Sequence, residues 1–349
     1  MIWSWILGSV IMRRLIEADG DVHQLEMSST EAKKRNINHG HNSASHGRKK
    51  TTAWDTIEYD LYSIWLFTYS DLKTIVGPKT AFGIFNSLHA SAFDLPCLQY
   101  STALKRLPLV VFWTWINLLP FSIDNQRQPE AIREDGVNKP WRPMPSQRLT
   151  PRQAKIWMLG LYPVAVMSSA YLGGLRQCLC LICLGFWYND LGGADQNPLI
   201  RNLINSCGFL CYTSGAMEVA YGSWIPLSPG SLLFRWFSVI AAVVLTTVHT
   251  QDMYDQAGDS LRGRWTVPLA MGDGPSRITI AIPMAFWSWF GPQFWALHIA
   301  AYILPVGLGL TIILRTLILR SVVDDKRTFQ LWNLWVVVLY LLPLLSEQK

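Results

Sequence analysis

Between Arg277 and Arg315 the chain carries no Asp, Glu, Lys or Arg. The run "ITIAIPMAFWSWFGPQFWALHIAAYILPVGLGLTIIL", Ile278 to Leu314, is far longer than the roughly 20 apolar residues one helix needs to cross a bilayer. It therefore reads as a helical hairpin of two spans, with "FGPQF" near its middle as the turn between them. Composition agrees: half the residues are hydrophobic, 15% are charged, and 17 of 349 are Trp, with a mean hydropathy of +0.19. This excludes an ordinary soluble globular domain and points to a polytopic, all-α membrane protein.

Windows of spanning length fall near 61–92 (broken around Gly77-Pro78), 103–123, 153–173, 176–192, 198–221, 231–250, 277–291, 294–314 and 328–345. About nine transmembrane helices around a central cavity are therefore expected, from residue 57 to 349. Lys and Arg concentrate in 124–153, 251–277 and 315–327, which nine spans place on one side, and the positive-inside rule makes that side cytosolic. Lys105, Arg106 and Arg176 fall on the other side. The net charge of +6 belongs to these loops beside the lipid bilayer rather than to a nucleic-acid surface.

Residues 1–56 read as a flexible N-terminal segment. Its His39, His41 and His46 are explained by a solvated linker, and the apolar first twelve residues lack the basic flank and cleavage site of a signal peptide. The six cysteines, three of them in "CLCLIC", fall in apolar surroundings and read as buried small hydrophobes. The chain contains neither a GxGxxG fingerprint nor a Walker loop.

Two acidic loops carry the chemistry. "DMYDQAGDSLRGR" follows one apolar run and spaces Asp252, Asp255 and Asp259 at i, i+3 and i+7, one face of a helix. Three carboxylates without compensation repel one another, and magnesium is their natural partner, shared with substrate phosphates; a solvated acidic loop with ordinary salt bridges is the competing explanation. "DNQRQPEAIREDGVNKPWRPMPS" follows another apolar helix and offers Asn125, Glu130, Glu134 and Asp135 as oxygen ligands. Lys139, Arg142, Arg148, Arg262 and Arg264 offer partners for a diphosphate. Two such loops on one face describe a mouth where Mg2+ joins the protein to a polyanion whose tail enters the bundle. The implied reaction is ionisation of an allylic isoprenyl diphosphate in a dry pocket.

The stretches "NQRQPEAIREDGVNKPWRPMPS" and "DMYDQAGDSLRGRWTVPLAMG" resemble the two aspartate-rich motifs of the UbiA superfamily of intramembrane prenyltransferases. The patterns there are N-D-x-x-D-x-x-x-D with a following N-x-P-x-R-P-x-P-S, and D-x-x-x-D or D-x-x-D with a following G-x-x-T-x-P. The second motif matches at Asp252, Asp255 and Asp259, with Gly263, Thr266 and Pro268 as its tail. In the first, Gln126 stands where Asp is usual, and the distance from Asn125 to Asp135 is two residues too long. The resemblance spans about 57 to 345 and implies metal binding by Asn125, Glu134, Asp135, Asp252, Asp255 and Asp259. This altered first motif is more similar to the fungal-type branch that includes membrane-bound terpene cyclases. That implies cyclisation of a farnesyl or geranylgeranyl diphosphate, with transfer to an aromatic acceptor as the alternative and the endoplasmic reticulum as the location.

Polar residues at membrane depth are costly and therefore functional candidates. Tyr188 and Asp190 at the end of one span, and Arg201 at the start of the next, are candidates for lining the cavity, as the fourth and fifth spans do in that family; an Asp190–Arg201 pair stapling the hairpin explains them equally well. Glu218 is a weaker candidate, and Lys73 is a candidate for reaching the diphosphate, as a basic residue of the first helix does in that family, with snorkelling to the interface as the alternative. Mid-span Trp113, Trp115, Phe186, Trp187, Trp287 and Trp289 are candidates for stabilising a carbocation through their ring faces.

Overall fold

The computed structural model describes residues 53–346, and all its regular elements are helical. Most of the N-terminal segment, including the three histidines and the apolar start, lies outside the described residues. The chain divides into two compact units, Met1–Trp65 and Leu66–Lys349. Helix α1, Ala53–Thr68, opens inside the segment expected to be flexible.

The break in the first hydrophobic stretch lies at Tyr69–Asp71, earlier than expected, and a π-helical turn, Leu72–Val76, leads from it into α2, Gly77–Leu88. Pro78 sits in the first turn of α2, where its missing N–H costs little. Helix α3, Tyr100–Arg127, runs on into the expected acidic loop, and α4, Pro129–Asn138, starts one residue later. Gln128 between them is extended, as the residue before a proline prefers.

Helix α5, Pro151–Leu172, is opened by a capping box of Thr150 and Gln153. Gly173 and Gly174, both at positive φ, turn the chain straight into α6, Leu175–Asn189. A short α7, Gly193–Gln196, precedes α8, Pro198–Tyr221, whose first N–H groups are capped by the Asn197 side chain. Helix α9, Leu232–Thr247, passes through a 3-10 turn into α10, Asp252–Arg262, which carries the second acidic motif. After α11, Val267–Met271, come α12, Asp273–Phe294, α13, Ile303–Ile318, and α14, Val322–Tyr340. Helix α12 runs through "FGPQ", and the hairpin turn falls at Trp295–His298 instead.

Helix α8 is central, packing against α2, α3, α6 and α9, while α4 packs on α10 and so brings the two acidic motifs together. Glycine permits the closest crossings: a Cβ on Gly83 of α2 would stand 2.6 Å from the Ala216 carbonyl oxygen of α8. Buried indoles find hydroxyl partners, Trp113 with Ser169 and Trp332 with Thr247, both at 2.9 Å. Among the described helices, Tyr100–Arg127, Leu232–Arg262 and Ile299–Ile318 are long and apolar enough to cross a membrane by length and composition. The other expected spans are helical but shorter or more polar, so nine crossings remain the proposal drawn from the sequence. All six cysteines are free; of them only Cys178 is buried, and Cys97 lies in the loop before α3, outside any span.

Candidate active site

A cavity of about 530 Å³ opens where α4 and α10 meet and descends between α3, α6 and α8. Its upper part is charged, lined by Lys73, Lys139, Arg142, Arg201, Arg264 and Lys326 against three carboxylates, Asp71, Glu134 and Asp255. The excess of cations over carboxylates suits a polyanionic group. Its lower part is apolar and aromatic, with Leu118 and Phe121 from α3, Leu181 from α6, and Ile204, Phe209 and Tyr212 from α8. Arg201 and Tyr212 lie eleven residues apart on one helix, so the cavity is about 16 Å deep at 1.5 Å per residue.

The mouth is held by ion pairs. Arg264 donates from Nε to Asp195 at 2.9 Å, and from Nη1 to Glu134 at 3.1 Å and Asp259 at 3.2 Å. Arg262 reaches Glu134 at 3.3 Å and Asp195 at 3.2 Å. Arg201 donates to Asp252 at 2.9 Å and to the Tyr188 hydroxyl. Lys139 Nζ is 3.6 Å from Asp255. Burial alone would push the Glu134 carboxyl up, but Arg264, Arg262, Lys139 and Arg201 more than reverse this and hold it below its ordinary value. The three aspartates of α10 are therefore each compensated by a basic side chain, not bare as their spacing suggested.

Several expected residues stand back from the cavity. Asp135 gives both carboxylate oxygens to Arg142 Nη1, at 2.7 and 3.0 Å, which fixes Arg142 on the cavity wall but keeps Asp135 out of it. Asp252, Asp259 and Arg262 stand behind the lining. Asp190 does not pair with Arg201; it accepts from Arg127 at 2.9 Å, away from the cavity. Glu218 sits at the opposite end of α8, bonded to Arg176 at 2.7 Å and to the Gly174 N–H at 3.1 Å. Glu130 pairs with Arg133 on the surface. Gln126 donates to the Phe67 carbonyl at 2.9 Å and is 1% exposed, so the position where Asp is usual serves helix packing here.

The mid-span aromatics singled out from sequence do not line the cavity; Phe121, Tyr188, Phe209, Tyr212, Tyr254 and Phe329 do. Sequence reasoning missed Asp71 and Asp195 as well. Both stand inside stretches with a signal, "YSDLK" beside a helix break and "GGAD" before a capped helix, but nothing local says that they face the site.

A divalent cation fits the donor set. Asn125, Glu134 and Asp255 carry oxygen ligands and are among the residues that line the cavity, with the Glu134 oxygens held by Arg262 and Arg264. Behind them, one oxygen each of Asp252 and Asp259 (Oδ2) is buried without a hydrogen-bond partner. Among the described residues no three His, Cys, Asp or Glu side chains form a closed metal cage. Magnesium takes one or two carboxylates and completes its shell with water and substrate phosphate. Gly258 favours the convergence: a Cβ there would stand 2.1 Å from the Asn138 side-chain nitrogen, so a larger residue requires that side chain to shift.

The profile of the UbiA prenyltransferase family matches residues 121–335. Somaliensene A/B synthase of Streptomyces somaliensis is 26% identical over 295 residues, covering 82% of this chain and 93% of that protein. Fumagillin beta-trans-bergamotene synthase of Aspergillus fumigatus is 29% identical over 232 residues, 65% of this chain and 73% of that one. Among solved structures, a UbiA homolog from Archaeoglobus fulgidus bound to DMAPP and Mg2+ superposes with a TM-score of 0.50 at 13% identity, over 78% of this chain and 98% of its own.

Proposed function

We propose, from the premise that this chain belongs to the UbiA prenyltransferase family and is an integral membrane enzyme acting on isoprenyl diphosphates, that it ionises its substrate with magnesium and cyclises the resulting cation. The observation that carries the reading is the two-part cavity, cationic with oxygen ligands at the mouth and aromatic below.

Lys139 and Arg142 hold the diphosphate at the mouth, with Lys73 from the π turn and Arg201 from α8 closing the other sides. Asn125, Glu134 and Asp255, backed by Asp252 and Asp259, would hold Mg2+, which when bound neutralises charge on the departing diphosphate. The allylic C–O bond breaks heterolytically, and its electron pair leaves with the diphosphate. A double bond of the same chain then supplies its π electrons to the cation and forms the ring. The rings of Phe121 and Tyr212 stabilise positive charge below the mouth, and the apolar wall, which includes Phe209, keeps water from capturing it. A proton lost from the final cation ends the sequence, with the released diphosphate as the nearest strong acceptor. Tyr188 holds Arg201 in place, and Asp190, paired with Arg127 and not among the residues that line the cavity, is given no catalytic role.

Cyclisation is preferred to transfer on two grounds: the departure at Gln126 from the usual first motif, and similarity to relatives named as terpene synthases. The family description itself keeps prenyl transfer as the second reading. The test is incubation of the protein in membranes with geranyl, farnesyl or geranylgeranyl diphosphate and Mg2+, with a chelator control, followed by gas chromatography and mass spectrometry. A magnesium-dependent cyclic hydrocarbon is expected. A product that forms only with an added aromatic acceptor replaces cyclisation by transfer. The location, the endoplasmic reticulum with the mouth towards the cytosol, belongs to the same proposal.

A further inference from the structure

We infer that Gly208, on the cavity face of α8, admits the part of the isoprenyl chain beyond its second isoprene unit and so sets which chain lengths this protein accepts. The inference rests on the isoprenyl diphosphate reading above.

Helix α8 presents Arg201, Ile204, Asn205, Gly208, Phe209 and Tyr212 to the cavity, the spacing of one helix face. Every one but Gly208 fills its share of the wall with a side chain. Glycine inside a helix weakens it relative to alanine, and membrane helices keep it where another element comes close. Helix glycines packed against a neighbouring element obey that rule, whereas the exposed Gly136 and Gly307 have nothing near them. A Cβ on Gly215 would lie 2.1 Å from the Trp113 ring, and one on Gly309 would lie 2.0 Å from Ser288 Oγ. Gly185, which also lines the cavity, has Phe121 at 3.2 Å. Around Gly208 there is nothing within 4 Å. Its missing side chain serves open space, and the open space is the cavity.

The position along the helix says what fills that space. Gly208 lies seven residues below Arg201, about 10 Å at 1.5 Å per residue. An extended chain gains about 1.2 Å per main-chain bond, so the four bonds of an isoprene unit span about 5 Å. With the diphosphate held at the level of Arg201, two units reach Gly208 and the third lies beside it, above Tyr212. A side chain at this position collides with a fifteen- or twenty-carbon chain and leaves a ten-carbon chain untouched.

The experiment measures dissociation constants of the unreactive geranyl, farnesyl and geranylgeranyl thiolodiphosphates, with Mg2+, for the purified protein in nanodiscs. Wild type is compared with Gly208→Ala, Gly208→Leu and Gly307→Leu; Gly307 is an exposed helix glycine of α13 away from the cavity, also with nothing within 4 Å of a Cβ. The expected result for Gly208→Leu is a loss of at least about tenfold for the two longer analogues with geranyl binding kept, a collision larger than the effect of one methylene. Gly208→Ala shifts the same ratio less, and Gly307→Leu does not shift it. Retained geranyl binding shows that the variant is folded. Equal losses at all lengths, or no loss, overturn the inference, as does a wild-type protein that binds the geranyl analogue best. If the wild type binds none of the three, the isoprenyl diphosphate reading itself falls, and the role of Gly208 with it.

Discussion

At the scale of single residues, the mouth is a set of carboxylates whose partners decide their work. Asp255 is the α10 carboxylate that lines the cavity, with Lys139 at 3.6 Å as its only ion-pair partner among the described residues. Asp255→Asn keeps the shape and removes the charge, so turnover should fall by at least about a hundredfold while the unfolding temperature stays near wild type. Arg264 is a different case, buried and shared by Glu134, Asp259 and Asp195. Arg264→Ala leaves the buried Asp259 without its ion-pair partner, while Glu134 and Asp195 keep Arg262, and should cost about 3–5 kcal/mol, read as a lower unfolding temperature in detergent. A variant that unfolds like wild type would show these pairs to be solvent-screened. The motif spacing made Asp255 and Arg264 legible. Asp71 and Asp195 were not, because each reaches the mouth from a segment remote in sequence.

At the scale of elements, close approach is what the helices trade propensity for. Where α2 crosses α8, Gly83 meets the Ala216 backbone, which cannot move aside as a side-chain tip can. Gly83→Ala should therefore destabilise by about 1–3 kcal/mol through overpacking, whereas Gly307→Ala, in open surroundings on α13, should stabilise by about 0.5–1 kcal/mol. Thermal unfolding of the two variants side by side checks both signs. The ends of the helices were legible where local chemistry sets them, as at Thr150-Pro151 and Asn197-Pro198. They were not legible at "FGPQF", where the helix runs on past a proline to Phe294, nor at Gly77-Pro78, where a π turn lets the helix restart early. At Gly77-Pro78 the proline falls in the first helical turn, where its missing N–H costs little.

At the scale of the whole molecule, the bundle has two unlike ends. The acidic motifs and the cavity mouth lie at one; the loop 94–99, with the exposed Cys97, lies at the other, since α2 leads away from the mouth and α3 leads back to it. In sealed microsomes with the cytosolic face outward, an impermeant maleimide should label Gly136→Cys at once in a cysteine-free background. Cys97 as the sole cysteine should label only after detergent. The reverse pattern would invert the orientation drawn from Lys and Arg placement. Hydrophobic runs and loop charge were enough by themselves to establish an all-α membrane protein, and two spaced acidic motifs were enough to nominate where along the chain its chemistry lies, because bilayer thickness and oxygen-ligand spacing are written in local sequence. Tertiary structure alone decided which carboxylates face the cavity and which are consumed by arginines, which rings line it, and where it is left open at Gly208. Those outcomes depend on helix rotation and crossing distance, set by contacts between residues far apart in the chain.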